Sequence, residues 1–452
     1  MINVILAIDS KNGLGINGKL PWNLIRELNI FKRKTLNSVV ICGRKTAETL
    51  PLLTERKIFC ISRKYQTLKS DKNIVIMFKS VEEAYEEAKL LNKNIFIIGG
   101  KQIYEYVFKN FDNSKLKVHI SFVDWYFTCD TFFDINNLKN FYITNEKYHD
   151  DFKHCEMEYV KYGENQYLDL VKDILQNGER RMTRNSETIS DFYKHLKFDL
   201  REGFPLLTTK KMFIKGIIEE LLFFIRGDTN SKILEEKGIN IWKGNTNREF
   251  LDANGFEYRE EGELGPLYGH QWRHFNGFFV EGIDNVPINL LYGIDQLKNI
   301  INEIKTNPNS RRILLTTYNP SQVNQGVLWP CHSITIQFYV RDGYLDMFCY
   351  NRSSDIILGC PFNIASSSLL LMIIAKLTNL SPRYFNLTLG DVHIYSNHEK
   401  LMKPQLEKIP YIFPTIELPE FTTLEEVENL SYENFKIINY KSYPNIKMEM
   451  IA

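Results

Sequence analysis

A chain of 452 residues, 44% hydrophobic and 25% charged, can bury two or three ordinary cores, and nothing in that composition suggests disorder or fibre. Its net charge of +1 argues against a dedicated nucleic-acid partner. Seven scattered cysteines without a CxxC pair or a secretory leader, and apolar runs short of the roughly 18 residues of a membrane span, lead to the expectation of a cytoplasmic protein with reduced thiols and no membrane contact.

From Met1 to about Gly163, short apolar runs alternate with helical patterns. Asn3–Ile8, Ser38–Cys42, Lys57–Ile61, Asn73–Phe78 and Asn94–Ile98 read as buried strands. Leu24–Lys34 reads as a helix with Leu24, Leu28 and Phe31 among its apolar positions, and Ser80 to Glu83 reads as a capping box opening an amphipathic helix. Strands interleaved with helices imply an α/β domain, a mostly parallel sheet with flanking helices. After Gly163 the rhythm changes. Tyr167–Leu175 is a short amphipathic helix and Lys215–Arg226 a nearly all-apolar one. Thr335–Val340 and Tyr344–Tyr350 form a hairpin around Asp342-Gly343, and Ser366–Leu377 is another buried helix. This second part reads as α+β. With no low-complexity linker and no repeat, the domains are set at 1–163 and 164–452.

Three strands of the first domain end in glycine or polar residues at what should be one edge of the sheet: Gly43-Arg44-Lys45-Thr46, Ser62-Arg63-Lys64 and Gly99-Gly100-Lys101. Ligands of open α/β sheets bind beyond the carboxyl ends of strands, where helix N-termini and bare glycine backbone favour phosphate. Residues 1–163 also carry 25 Lys+Arg against 19 Asp+Glu, while the remainder carries 31 against 36; the bias would suit phosphate-bearing or polyglutamate ligands, though taken alone solvated surface charge is the better explanation. Arg63 could pair with a ribose phosphate. Glu27 reads, by position alone, as a carboxylate on a helix surface.

MINVILAIDSKNGLGINGKLPWNL, FKRKTLN, CGRKT, ISR and IIGGKQIYE, in this order over about the first 160 residues, resemble dihydrofolate reductase. The resemblance implies reduction of dihydrofolate by NADPH. It makes Glu27 the buried acid that grips the pteridine and supports its protonation, with Ser121 hydrogen-bonded to it. Ala7, Trp22, Phe31 and Leu50 would line the folate pocket, and Arg56 would bind the glutamate tail. Gly15, Arg44, Lys45, Thr46, Ser62, Arg63, Gly99, Gly100 and Gln102 would hold NADPH, with the loop Gly13–Lys19 closing over the nicotinamide. Ser121 stands where the family has threonine, which keeps the hydroxyl. The segment Thr49–Glu55 is short and lacks the family's glycines, a departure that bears on Arg56. The chemistry is coherent, since a carboxylate in an apolar pocket has its pKa raised and can pass on a proton.

In the second domain Cys331 stands in Trp329-Pro330-Cys331-His332, ahead of a strand. Buried cysteines are mostly inert core, and a catalytic one needs positive charge nearby. Arg352 and the pair Arg311-Arg312 are candidates that spacing alone does not bring together. GFPLLTTKK, IIEELLFFIRGDTN, LGPLYGHQWRHF, DQLKNII, NPNSRRILL, WPCHSITIQFYV, GCPFNIAS and GDVHIYSNH resemble thymidylate synthase from about Asn165 to Ala452. The resemblance implies that Cys331 adds to C6 of deoxyuridylate (dUMP), activating C5 toward the methylene of methylenetetrahydrofolate and dividing one hard substitution into easier steps. Glu220 would organise water for proton transfers, Tyr268 would help remove the C5 proton, and Asn363 would read the uracil edge. His393 and Tyr395 would hold the ribose hydroxyl, with Trp242 against the folate and Asp355 against folate and nucleotide. Arg352, Ser353 and Ser354 would bind phosphate while Arg311 and Arg312 reach it from the partner subunit of a homodimer. Met450–Ala452 would close the site.

One departure is larger. Where the family carries an Arg-Thr-Gly-x-Gly phosphate loop, this chain has Thr183-Arg184-Asn185-Ser186-Glu187, with no glycine and the arginine displaced by one. Arg184 is the first choice for that phosphate ligand and Arg181 the second. His270 and His274 read as core or surface histidines rather than metal ligands, and Asp9 and Glu257–Glu263 as solvated charge. The expectation is a bifunctional folate enzyme using NADPH, dUMP and folates and no metal. A synthase that hydroxymethylates deoxycytidylate would want aspartate where Asn363 stands. A front domain that merely binds folate is opposed by Glu27, Arg44, Thr46 and Gly99-Gly100.

Overall fold

A computed structural model of the chain describes residues 1–63, 74–183, 186–279 and 293–448. Lys64, Arg184, Asn185 and Met450–Ala452 lie outside the described residues. The chain divides into two units, Met1–Lys161 and Tyr162–Ala452.

The first unit is built on an eight-stranded sheet. In spatial order its strands are Val75–Phe78, Lys57–Ile61, Val39–Gly43, Ile95–Gly99, Ile2–Ile8, Leu116–Val123, Phe152–Tyr159 and Phe141–Tyr148. The first six run parallel and the last two close the edge with antiparallel ladders. Val39 to Cys42 are fully buried, as the interior strand of a sheet covered on both faces requires. The last three strands escaped the sequence reading because polar residues interrupt them: His119 and Ser121 in one, His154 and Glu156 in another, Thr144 to Lys147 in the third.

The helix Ile25–Lys34 buries the carboxylate that position alone sets on its surface. Glu27 and Ile30 are buried, whereas Leu28 is 41% exposed. The helix Val81–Leu90 is capped by Ser80, whose hydroxyl accepts from the Glu83 N–H at 3.1 Å; the Glu83 carboxylate takes the N–H of Lys79 instead of that of Ser80. Asp9 is not solvated. It is buried and accepts backbone N–H bonds from Lys11, Gly13 and Phe127 at 2.7–2.9 Å, tying the loop after the first strand to the segment behind it. Those bonds hold its carboxyl below the usual carboxylate range despite burial.

The second unit has a six-stranded sheet in the order Glu179–Met182, Glu187–Asp199, Ser381–Tyr395, Tyr344–Asp355, Thr335–Arg341 and Leu314–Thr316. Only Tyr344–Asp355 and Ser381–Tyr395 pair in parallel, and parallel neighbours need a crossover. The helix Gly359–Leu377 supplies it. This helix corrects the expectation about apolar runs: at 19 residues it is long and apolar enough to cross a membrane, yet most of it is buried in the core of this unit. The expected hairpin turns at Asp342 (φ 52) and Gly343 (φ 75), the left-handed pair a two-residue turn demands. Its second strand runs on past Tyr350 to Asp355, carrying four expected site residues to the strand end. In the acidic stretch, Glu263 is buried rather than solvated, and its carboxylate accepts from Asn230 at 3.0 Å.

Candidate active sites

In the first unit a cleft of about 1660 Å³ opens along the ends of the parallel strands. Ala7, Gly15, Trp22, Glu27, Phe31, Arg44, Lys45, Thr46, Leu50, Arg56, Ser62, Arg63, Gly100 and Gln102 all line it. Gly99 and Ser121 stand directly behind. Gly99 has φ +104, and a Cβ there would meet the Tyr104 ring at 2.9 Å; a Cβ on Gly100 would meet Thr46 Oγ1 at 3.2 Å. At Gly99 only bare backbone fits, while at Gly100 a side chain would have to push the Thr46 hydroxyl aside. Arg56 reaches the cleft with its donors largely committed, to Thr35 Oγ1 at 2.9 Å, Thr54 O at 2.7 Å and Lys32 O. The loop at the mouth is pinned: Asn17 N–H donates to Asp130 at 2.7 Å and Asp130 N–H to Gly15 O at 3.0 Å.

Glu27 is 5% exposed, and burial pushes its carboxyl up to about 7 against a weak pull from Ser121, whose hydroxyl lies 3.4 Å away. The far side of that hydroxyl meets His154 Nδ1 at 3.1 Å. Sequence reasoning missed His154, and no local pattern could have flagged it, since only the ladder between Leu116–Val123 and Phe152–Tyr159 sets it opposite Ser121.

In the second unit the ends of the two parallel strands come together. Ser353 lies opposite Asp391 and Asp355 opposite His393. The Cys331 carbonyl accepts from the N–H groups of Arg352 at 2.8 Å and Ser353 at 3.2 Å, which seats the thiol at this edge. Cys331 N–H donates to the Tyr268 hydroxyl at 3.1 Å, and that hydroxyl stands 3.5 Å from Sγ. Tyr268 is held at φ +26, costly for a side chain its size, and stacks on Phe224 and His332. Burial raises the Cys331 thiol while Tyr268 and Arg352 pull it down. The adjacent His332 is no imidazolium partner, because burial holds it near 4.

Elsewhere in this unit, Asn363 Oδ1 accepts from Asn351 at 3.3 Å, one turn into the crossover helix. The Glu220 carboxylate accepts from Trp242 Nε1 at 2.9 Å, and burial lifts it to about 7. Asp355 accepts the N–H groups of Ile357 and Leu358 at 2.9 and 3.2 Å. His393 Nδ1 is 2.8 Å from Asp391, with its ring 5.3 Å from that of Tyr395. The Ser354 hydroxyl is buried with no partner among the described residues. Arg311 and Arg312 are both exposed. Arg181 is paired with Glu179 at 2.6 Å. His270 and His274 have rings 5.8 Å apart, and no group of three or more metal-ligating side chains gathers among the described residues.

The fold and sites describe two enzymes in one chain, one with a carboxyl buried in a nucleotide-sized cleft and one with a thiol between a tyrosine and an arginine. The profile of the dihydrofolate reductase family matches residues 1–164, and that of the thymidylate synthase family residues 165–452. Bifunctional dihydrofolate reductase-thymidylate synthases are similar over the full length: 37% identity with that of Paramecium tetraurelia over 99% of this chain and 98% of the relative, and 34% with that of Zea mays over 99% and 96%. The chain belongs to the bifunctional dihydrofolate reductase-thymidylate synthase family.

Proposed function

We propose that the chain converts dUMP to thymidylate with methylenetetrahydrofolate and reduces the dihydrofolate so formed back to tetrahydrofolate with NADPH. The observation that carries the reading is the coexistence, in separate units, of Glu27 buried in its cleft and Cys331 seated between Tyr268 and Arg352.

In the reductase unit the glycine wall at Gly99-Gly100, with Arg44, Lys45 and Arg63 around the same cleft, fits a phosphorylated dinucleotide. When bound, NADPH supplies the hydride. Glu27 holds the pteridine and, half protonated near neutral pH, supports delivery of the proton that must accompany it. Ala7, Trp22, Phe31 and Leu50 exclude water, and the two donors that Arg56 has left serve the glutamate tail.

In the synthase unit Sγ of Cys331 bonds to C6 of the uracil ring as electrons move toward C5 and O4. C5 then attacks the methylene carbon as its bond to the first folate nitrogen opens, and Tyr268 and water ordered by Glu220 take off the C5 proton as the second carbon–nitrogen bond breaks. A hydride from the tetrahydropterin then completes the methyl group as Sγ of Cys331 leaves C6, which releases thymidylate and dihydrofolate and restores the thiol. The orphaned Ser354 hydroxyl and Arg352 suit the nucleotide and its phosphate. Asn363 accepts and donates at the base edge. Asn363→Asp should therefore lower dUMP turnover and raise deoxycytidylate turnover, shifting the ratio at least about tenfold. An unchanged ratio removes Asn363 as the base reader.

The synthase unit works as a homodimer in this reading. Leu314, Gln337 and Phe348 lie side by side across three strands on one exposed sheet face, with Tyr339 beside them at 60% exposure. A self-complementary apolar face suits a twofold partner, and across it Arg311 and Arg312 would complete the phosphate site, with Arg184 or Arg181 from the same chain. Mixing Cys331→Ala and Arg312→Ala chains should restore roughly a quarter of wild-type synthase activity, because random exchange gives half heterodimers with one complete site each. A mixture as weak as its parents after proven subunit exchange rules out a shared site.

A further inference from the structure

Ser121 has one proton to give and two neighbours to give it to: Glu27 Oε1 at 3.4 Å and His154 Nδ1 at 3.1 Å. His154 is buried, directly across the ladder from Ser121, and its Nε2 meets no hydrogen-bonding atom among the described residues. That decides the tautomer. A proton on Nε2 would strand an N–H donor in the interior, with its full desolvation penalty. A proton on Nδ1 is donated to Ser121 Oγ and leaves only a bare ring nitrogen, the smaller loss. With its lone pair taken by that donation, Ser121 turns its own proton toward Glu27. The neighbouring His119 takes the opposite tautomer: the Asn3 amide donates to Ile95 O, so its Oδ1 accepts from His119 Nε2 at 3.1 Å.

We propose that His154 is a positioning residue of the reductase site, donating from Nδ1 to Ser121 so that the serine hydroxyl is held on the Glu27 carboxylate. The proposal rests on the reading of Glu27 as the acid of this site. It adds a residue two hydrogen bonds behind the cleft, on the strand next to that of Ser121.

The ring keeps one charge state while doing this. Lys34 approaches from the helix Ile25–Lys34, Glu156 from the same strand, His149 from the preceding turn, and His119 stacks on it with centroids 6.4 Å apart. Lys34 and Lys117 both pair with Glu156, and Lys117 pairs with Glu158 as well. Burial and Lys34 hold His154 near 4, well below the range in which Glu27 titrates. Any change in the reductase pH profile on replacing it therefore comes through Ser121.

The test is the pH dependence of single-turnover dihydrofolate reduction in the full chain. Ser121→Ala removes a donor from the carboxylate, which disfavours its charged form, and should raise the midpoint assigned to Glu27 by about half to one pH unit, three- to tenfold in proton affinity. His154→Phe takes away the hydrogen bond that orients the serine and should raise the midpoint in the same direction by no more than that, and the double variant should match Ser121→Ala, because the histidine acts only through the serine. His154→Asn, whose amide N–H can stand where Nδ1–H stood, should restore the wild-type midpoint. A merely structural histidine would lower the melting temperature and leave the midpoint unmoved. An unmoved midpoint in His154→Phe, or a shift additive with Ser121→Ala, overturns the proposal. If His154→Phe does not fold, ring 15N spectra of the wild-type chain decide: Nδ1–H supports it and Nε2–H overturns it. Glu27→Gln in parallel separates the two claims, since an active Glu27→Gln enzyme sinks the underlying reading, whereas an inactive one with a null His154 result sinks only the relay.

Discussion

Cys331→Ala abolishes thymidylate formation, by at least about 10⁴-fold, and leaves dihydrofolate reduction within about twofold of the parent chain. The size follows from the role, since without a nucleophile C5 is never activated and the residual rate rests on binding alone. The selectivity follows from the architecture, because Cys331 belongs to a unit with its own sheet and core. No other thiol of that unit can substitute. Cys349 and Cys360 are fully buried, and burial pushes Cys349 to about 12 and Cys360 higher still. Cys331 alone is half-buried beside an arginine and a tyrosine hydroxyl. Product formation measured by chromatography checks this. Activity surviving within tenfold, only about 1.4 kcal/mol of barrier, ends the nucleophile assignment.

Glu27→Gln lowers dihydrofolate reduction by at least about 100-fold near pH 7 and at the same time stabilises the reductase unit. The amide keeps the shape but carries no exchangeable acid proton. The stability change has a definite sign. Glu27 has a folded pKa of about 7 against an unfolded value of 4.5, so between those values the unfolded chain releases a proton that the folded chain retains. Wild-type stability therefore falls as pH rises from 4.5 to 7, by roughly 3 kcal/mol once both forms are ionised. Glutamine has nothing to ionise, so the variant should gain about that much at pH 8 and almost nothing at pH 4. Urea unfolding at the two pH values reads it directly. A gain equal at both pH values would mean that packing and not ionisation is responsible, and Glu27 would lose its raised pKa.

Of the apolar strands that sequence made legible, Val39–Gly43 and Ile95–Gly99 are buried almost throughout, whereas Val75–Phe78, also expected to be buried, lies at the sheet edge with only Phe78 buried. The strands it hid are those that carry polar groups inward. Leu116–Val123 and Phe152–Tyr159 break their own pattern at His119, Ser121, His154 and Glu156, and of these Ser121 is the one that reaches the carboxyl in the cleft. Glu27 lies off the Leu24, Leu28 and Phe31 positions that periodicity marks, so periodicity alone would have left it in solvent, and the family resemblance was needed to turn it inward. In the synthase unit the site residues were named by motif, while their meeting at one strand end depends on the parallel register of Tyr344–Asp355 with Ser381–Tyr395, which no local pattern encodes. Asp9 was misread for a related reason: its three backbone partners include Phe127, more than a hundred residues away.

The central claim is that one chain makes dihydrofolate in one unit and consumes it in the other. A single absorbance record tests it, with dUMP, methylenetetrahydrofolate and NADPH supplied and no dihydrofolate added. NADPH should be oxidised only after dUMP enters, one molecule for each thymidylate formed, and Cys331→Ala should stop both signals while Glu27→Gln stops only the NADPH signal and lets dihydrofolate accumulate. Thymidylate appearing with no NADPH oxidation in the wild-type chain, or NADPH oxidation proceeding without dUMP, would contradict the account.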